Sequence, residues 1–215
     1  ESAIAILITE SYKQTEGEPM ITRRAKAFAH ILDNLPIIIR DGEWIVGSTT
    51  IAPRGCQTYP EFSYEWLEEE FETLATRPAD PFYISEQTKK ELIEVNKYWK
   101  GKTTSELTTN YMDPRALAAF LHEMFTVGNY YFNGVGHITV NYGKVIKYGY
   151  RYMIDEVKEA KKKKCIAMED YPTRIHYYDA VITSLEAVIR YAHRYSDLAN
   201  KLASETSDPT RREEL

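Results

Sequence analysis

Ile175-His176-Tyr177-Tyr178-Asp179-Ala180-Val181-Ile182-Thr183-Ser184-Leu185-Glu186-Ala187-Val188-Ile189-Arg190-Tyr191-Ala192-His193 places apolar side chains at 175, 178, 182, 185, 189 and 192, in steps of three and four. That is the period of one helix face, and it predicts a long helix over 172–204. The same period recurs towards the start of the chain. Ile4, Leu7 and Ile8 with Ser11-Tyr12 predict a helix that Gly17 and Pro19 end, and Ala25, Phe28, Ala29 and Leu32 mark one face of another over 21–34. Further helices are expected over 64–76, 85–100, 114–125 and 144–164, with Ser85 as an N-cap and Gly101 as a stop. One segment breaks the pattern. Ile37-Ile38-Ile39-Arg40 and Trp44-Ile45-Val46-Gly47 are β-branched arms around Asp41-Gly42, which predicts a β-hairpin near the N-terminus. The Pro/Gly/Ser-rich stretch 48–60 reads as loop. The expected fold is therefore mainly α with an N-terminal β-hairpin.

The composition suits a soluble globular protein: 215 residues, 43% hydrophobic and 27% charged. A net charge of −5 gives no footprint for nucleic acid, and no apolar run is long enough to span a membrane. Two cysteines, Cys56 and Cys165, form no spacing motif, which points to a reducing, cytoplasmic setting. At the C-terminal end, Asp208-Pro209 is a cap and first-turn pair that opens a helix just before Leu215. A helix so short is marginal alone, so the chain is expected to continue past residue 215.

The chemistry-bearing candidate is Val127-Gly128-Asn129-Tyr130-Tyr131-Phe132-Asn133-Gly134-Val135-Gly136-His137. Glycine and asparagine tolerate backbone angles that other residues resist, so this reads as an irregular loop. An imidazole beside carboxamides offers both donors and acceptors, which suits the hydroxyls of a polyol. The same residues would also serve a tight connection whose histidine bonds nearby backbone. Other candidates carry less. Cys56 lies in a turn with no base near it in sequence, which argues against a nucleophile. His122-Glu123 begins like a zinc-protease motif but lacks the second histidine. His176 and His193 have no partner one turn away, so neither suggests a metal site. Lys161-Lys162-Lys163-Lys164 reads as a solvated helix end.

Longer stretches carry a family resemblance. They are Ala5-Ile6-Leu7-Ile8-Thr9-Glu10-Ser11-Tyr12-Lys13-Gln14-Thr15-Glu16-Gly17, Asn34-Leu35-Pro36-Ile37-Ile38-Ile39-Arg40-Asp41, Ile45-Val46-Gly47-Ser48 and Tyr59-Pro60-Glu61-Phe62-Ser63. Tyr98-Trp99-Lys100-Gly101-Lys102-Thr103-Thr104-Ser105-Glu106-Leu107 and the loop ending Gly136-His137 complete them. In this order they resemble the N-terminal portion of the glycyl radical enzymes, the group containing pyruvate formate-lyase. The cobalamin-independent glycerol and diol dehydratases are the most similar branch.

The resemblance implies that residues 1–215 are the N-terminal part of a pyruvate formate-lyase-like domain, with the glycyl radical domain absent. They would form the outer helical part of a large ten-stranded α/β barrel. It implies that His137 contacts and serves substrate hydroxyls, as hydrogen-bond partner and proton relay, with Asn129 as the neighbouring carboxamide. The implied reaction is radical elimination of water from a small vicinal diol, glycerol or 1,2-propanediol. In that chemistry a stored glycyl radical generates a cysteine thiyl, which takes hydrogen from the substrate. The radical is installed by an S-adenosylmethionine- and iron–sulfur-dependent activating enzyme, the one protein partner implied beside a homodimeric arrangement. This chain departs from the pattern at two places: neither the Arg-Val-Ala-Gly-Tyr-like radical context nor the Gly-Cys-Val-Glu-like segment is present, so it binds no cofactor of its own. The alternatives are another glycyl radical enzyme, such as a formate acetyltransferase, choline lyase or hydroxyproline dehydratase, or a non-catalytic helical module.

Overall fold

The computed structural model describes residues 1–125, 136, 138–164 and 169–215. Among them the regular elements are all helical: α1 (Ala3–Gln14), α2 (Met20–Asn34), α3 (Glu65–Glu70), α4 (Glu86–Trp99), α5 (Thr104–Tyr111), α6 (Pro114–Leu121), α7 (Tyr142–Lys162), α8 (Tyr171–Glu205) and α9 (Pro209–Glu214). The chain divides into two compact units. One comprises Glu1–Ile6 and Gln57–Thr139, the other Leu7–Cys56 and Val140–Leu215.

In the first unit, α4 supplies the most regular buried face. Lys89, Leu92, Val95, Asn96 and Trp99 recur at helical spacing, and all are buried. Its start follows from the Ser85 hydroxyl, which accepts the Thr88 N–H, and Gly101 just past its end takes a left-handed φ of 78°. Buried polar groups on this face are satisfied. Lys89 Nζ reaches Glu72 at 2.7 Å and Glu86 at 2.8 Å, and Asn96 Nδ2 donates to Glu68 Oε1 at 2.8 Å. The first turn of α1 gains two remote partners in the same unit: Ile4 N–H donates to Gln57 Oε1 at 3.1 Å, and the Ser2 hydroxyl donates to Glu91. The helix expected over 64–76 stops at Glu70, and turns carry the chain onward. α5 lies where no helix was expected, although its signal is local. Thr103 and Glu106 form a capping box, each side chain receiving the other's backbone N–H.

In the second unit α8 packs against both α2 and α7. The apolar stripe read from the sequence is not its most buried face: Ala192 is exposed and Ile182, Leu185 and Ile189 are half-buried, whereas Ala180, Ala187 and Tyr195 are buried. On α2 the buried positions are Ala25, Ala27 and Ala29, and Phe28 is exposed. Small residues at these positions let helix backbones approach closely, so alanine takes the place that larger side chains were expected to fill. The C-terminus of α2 is tied to α8 by two arginines. Arg190 makes a paired contact with Asp33 at 2.8 and 2.9 Å, and Arg194 donates to the Leu32 and Leu35 carbonyls. α9 starts as expected, with Asp208 Oδ1 accepting from the Thr210 and Arg211 N–H groups.

The expected β-hairpin over 37–47 is absent, and no strand forms among the described residues. Its turn does form: Gly42 has φ 69°, and Glu43 N–H donates to the Arg40 carbonyl at 3.1 Å. The bonds that would zip the arms are claimed elsewhere. Arg40 N–H donates to its neighbour's carboxylate, Glu43 Oε2, at 2.8 Å. Arg211 donates to the Arg40 and Glu43 carbonyls at 3.0 and 3.3 Å, and Arg40 donates to the Thr50 and Ile51 carbonyls. A two-stranded ribbon is marginal without an apolar face to bury, and here Trp44 is 77% and Ile45 90% exposed.

Candidate functional site

The loop proposed for substrate contact lies almost entirely outside the described residues. Asn129 and His137 both fall there, and Gly136, beside His137, is exposed. A helix lies on either side of it in the chain, α6 before and α7 after. On the N-terminal side Asp113 caps α6 by accepting Arg115 N–H at 2.9 Å, with Pro114 in the first turn. α6 ends at Leu121, short of the expected residue 125, in a Schellman arrangement. Met124 N–H donates to the Ala119 carbonyl at 3.0 Å and Glu123 N–H to that of Phe120 at 2.9 Å. Glu123 takes the left-handed position of this motif, with φ 56°, where glycine is the usual residue. Glu123→Gly is expected to raise unfolding free energy by about 0.5–1 kcal/mol, the left-handed penalty less glycine's entropic cost. A lower Tm for that variant would contradict this account of the helix end.

On the C-terminal side, Ile138 and Val140 are exposed, and Asn141 caps α7 by accepting Lys144 N–H at 3.0 Å. α7 does not run on as the single helix expected over 144–164. Gly149 breaks it with φ 75° and ψ 170°. A glycine between two tyrosines in the middle of a helical pattern was the legible sign of that break.

The other sequence candidates are accounted for by their surroundings. His122, His176 and His193 are exposed; His30, which the sequence did not single out, meets Glu10 through Nε2 at 3.0 Å with Asn34 on its other nitrogen. Among the described residues no group of histidine, cysteine and carboxylate side chains could hold a metal ion. Cys56 is exposed, and Cys165 lies outside the described residues. The lysine run at the end of α7 is exposed at Lys162 and Lys163, where Lys162 pairs with Glu159 at 2.6 Å. That hydrogen bond holds the Glu159 carboxyl below its ordinary value and the Lys162 ammonium above its own. The open groove beside it, lined by Tyr152, Asp155, Glu156, Glu159, Ala160, Lys163 and Lys164, carries acidic residues followed by lysines and forms a solvated helix face. No described helix is long and apolar enough to cross a membrane.

Comparison with known proteins extends the sequence resemblance. Residues 1–215 match the family described as pyruvate formate lyase-like. A solved structure concerned with 1,2-propanediol dehydration in Roseburia inulinivorans is 56% identical, with a TM-score of 0.97, over 100% of this chain and 26% of that one. The glycerol-bound B12-independent glycerol dehydratase from Clostridium butyricum is 50% identical, with a TM-score of 0.96, over 100% of this chain and 27% of that one. The curated (2S)-3-sulfopropanediol dehydratase of Klebsiella oxytoca is 31% identical over 97% of this chain and 26% of its own length. The chain thus spans about a quarter of the length of the proteins it matches. With the match running through every one of its residues, the chain belongs to the pyruvate formate lyase-like family of glycyl radical enzymes.

Proposed function

We propose that this chain is the N-terminal part of a glycyl radical dehydratase that eliminates water from a small vicinal diol, glycerol or 1,2-propanediol. The observation that carries this reading is the likeness of the whole chain to two proteins described by those substrates, at 56% and 50% identity, against 31% for the sulfopropanediol enzyme. Asn129 and His137 are the substrate contacts in this reading. A site that hydrogen-bonds a hydroxyl rejects analogues lacking it, because its own buried polar groups would go unpaired. The proposal extends to a cytoplasmic, anaerobic homodimer served by an S-adenosylmethionine- and iron–sulfur-dependent activating enzyme.

The residues of this chain do not themselves fit a radical centre. None of its ten glycines sits in the radical-bearing context, and Cys56 is exposed, just past a turn in which the Gly55 N–H donates to the Ala52 carbonyl. The radical chemistry therefore belongs to the rest of the full-length enzyme. The test uses that enzyme with its activating partner, without oxygen, and follows aldehyde formed from glycerol and from 1,2-propanediol. Turnover of either diol supports the reading; a formed radical without diol turnover overturns it. The 215-residue chain alone is expected to show no turnover under the same conditions, and any aldehyde from a preparation free of full-length enzyme would refute that.

A further inference from the structure

The loop over 40–52 is tied down at several points and still exposes large apolar side chains. Arg40 braces it from within: its guanidinium donates to the Thr50 and Ile51 carbonyls, both at 2.9 Å, and faces the Glu43 carboxylate at 3.6 Å. Two helices hold it from outside. Arg211 of α9 donates to the Arg40 and Glu43 carbonyls, and the buried Tyr195 of α8 donates through its hydroxyl to the Ser48 carbonyl at 3.3 Å. The Arg211 side chain is only 13% exposed, so the clamp is shielded from water. Between these ties Trp44, Ile45 and Val46 are exposed, and among the described residues Ile45 is the most exposed large apolar side chain. Among the described residues, no hydrogen bond reaches the N–H or carbonyl groups of residues 44–47 either. Apolar side chains and open backbone groups together make a surface built to be covered.

We propose that Trp44, Ile45 and Val46 are the docking surface for the stretch of the full-length chain that follows Leu215. Two observations select this occupant. Leu215 lies one helical turn past Arg211, about 6 Å along the axis, so polypeptide running on from α9 starts beside the loop that Arg211 clamps. The proteins this chain matches are about four times its length, which leaves about three quarters of such a protein outside the 215 residues. A tethered segment meets the surface at high effective concentration, whereas a separate protein must be captured from solution. The ties at Arg40, Arg211 and Tyr195 order the loop in advance, so docking costs little further ordering. A tryptophan flanked by aliphatic side chains is also the composition of a binding hot spot, and it suits an apolar segment. The inference rests on reading the chain as the N-terminal part of a longer enzyme and does not depend on the identity of the substrate.

Two measurements at position 45 of the full-length enzyme decide it. In the first, a photoreactive benzoylphenylalanine replaces Ile45, and the enzyme is irradiated with its activating enzyme present. The expected product joins position 45 to a peptide from beyond residue 215 of the same chain and runs at monomer mass on a denaturing gel. Attachment to a second copy, to the activating enzyme or only within residues 1–215 overturns the proposal, as does the absence of any cross-link. The second measurement follows alkylation of the Ile45→Cys variant by a maleimide, read by mass spectrometry at the peptide that carries position 45. The folded enzyme is expected to label at least roughly a hundredfold more slowly than the denatured one, the scale of a site reached only through local opening. Comparable rates would show the surface bare and overturn the proposal. A full-length enzyme that turns over no diol would overturn the substrate reading and leave both measurements standing.

Discussion

His137→Ala in the full-length enzyme is expected to lower diol turnover by roughly two to four orders of magnitude, the contribution of a positioned proton-transfer group. The glycyl radical should still form, since in the proposed reading the activating enzyme installs it on the C-terminal part of the full-length protein. The fall should appear in kcat and in kcat/KM together, because a proton relay acts in the transition state more than in binding. His176→Ala is the matched control. That residue is exposed on α8, and surface changes of this kind cost little, so turnover should stay within about threefold. Full activity with normal substrate affinity in His137→Ala would return the loop to its other reading, a glycine-rich connection whose histidine bonds nearby backbone.

Arg194→Ala is expected to lower the unfolding free energy of the chain by about 2–3 kcal/mol, the scale of hydrogen bonds made by a charged group. Its guanidinium donates to the Leu32 and Leu35 carbonyls, at the end of α2 where helix carbonyls have no partner within the helix. Leu35 is itself buried, so losing the donor strands its carbonyl away from water. The positive charge also complements the helix dipole at that end. Arg194→Lys should recover only part of the loss, because an ammonium lacks the fork that reaches two carbonyls. Arg190→Ala is the useful comparison. Its pair with Asp33 is about half exposed, and screened pairs contribute from near zero to about 1 kcal/mol. Chemical denaturation of the three variants reads these differences. An Arg194→Ala protein within about 0.5 kcal/mol of the parent would show that water replaces the guanidinium without cost.

The functional candidates were legible in unequal degree. The Gly/Asn-rich loop stood out by composition, while the roles of Asn129 and His137 came from the family resemblance, and both residues lie outside those described. The break of α7 at Gly149 was legible in its glycine but went unremarked, because the periodic pattern on both sides of it read as one helix.

What the sequence determined by itself were features whose causes lie within a turn or two of chain. The Ile4, Ile8 and Tyr12 face of α1 is buried as its spacing predicts, Ser85 and Asp208 cap their helices, and Gly101 ends α4. Each rests on helical period or on one side chain reaching a nearby N–H, and neither needs the rest of the fold. The tertiary structure decided what depends on partners far away in sequence. Segment 37–47 has the composition of a hairpin and makes its turn, but Arg211, remote in sequence, takes the Arg40 and Glu43 carbonyls. α8 has an apolar stripe, but packing against α2 and α7 buries Ala180 and Ala187 more completely than the larger residues of that stripe. Local chemistry sets which backbone conformations are cheap, whereas burial and hydrogen-bond satisfaction are settled only when distant donors and surfaces arrive.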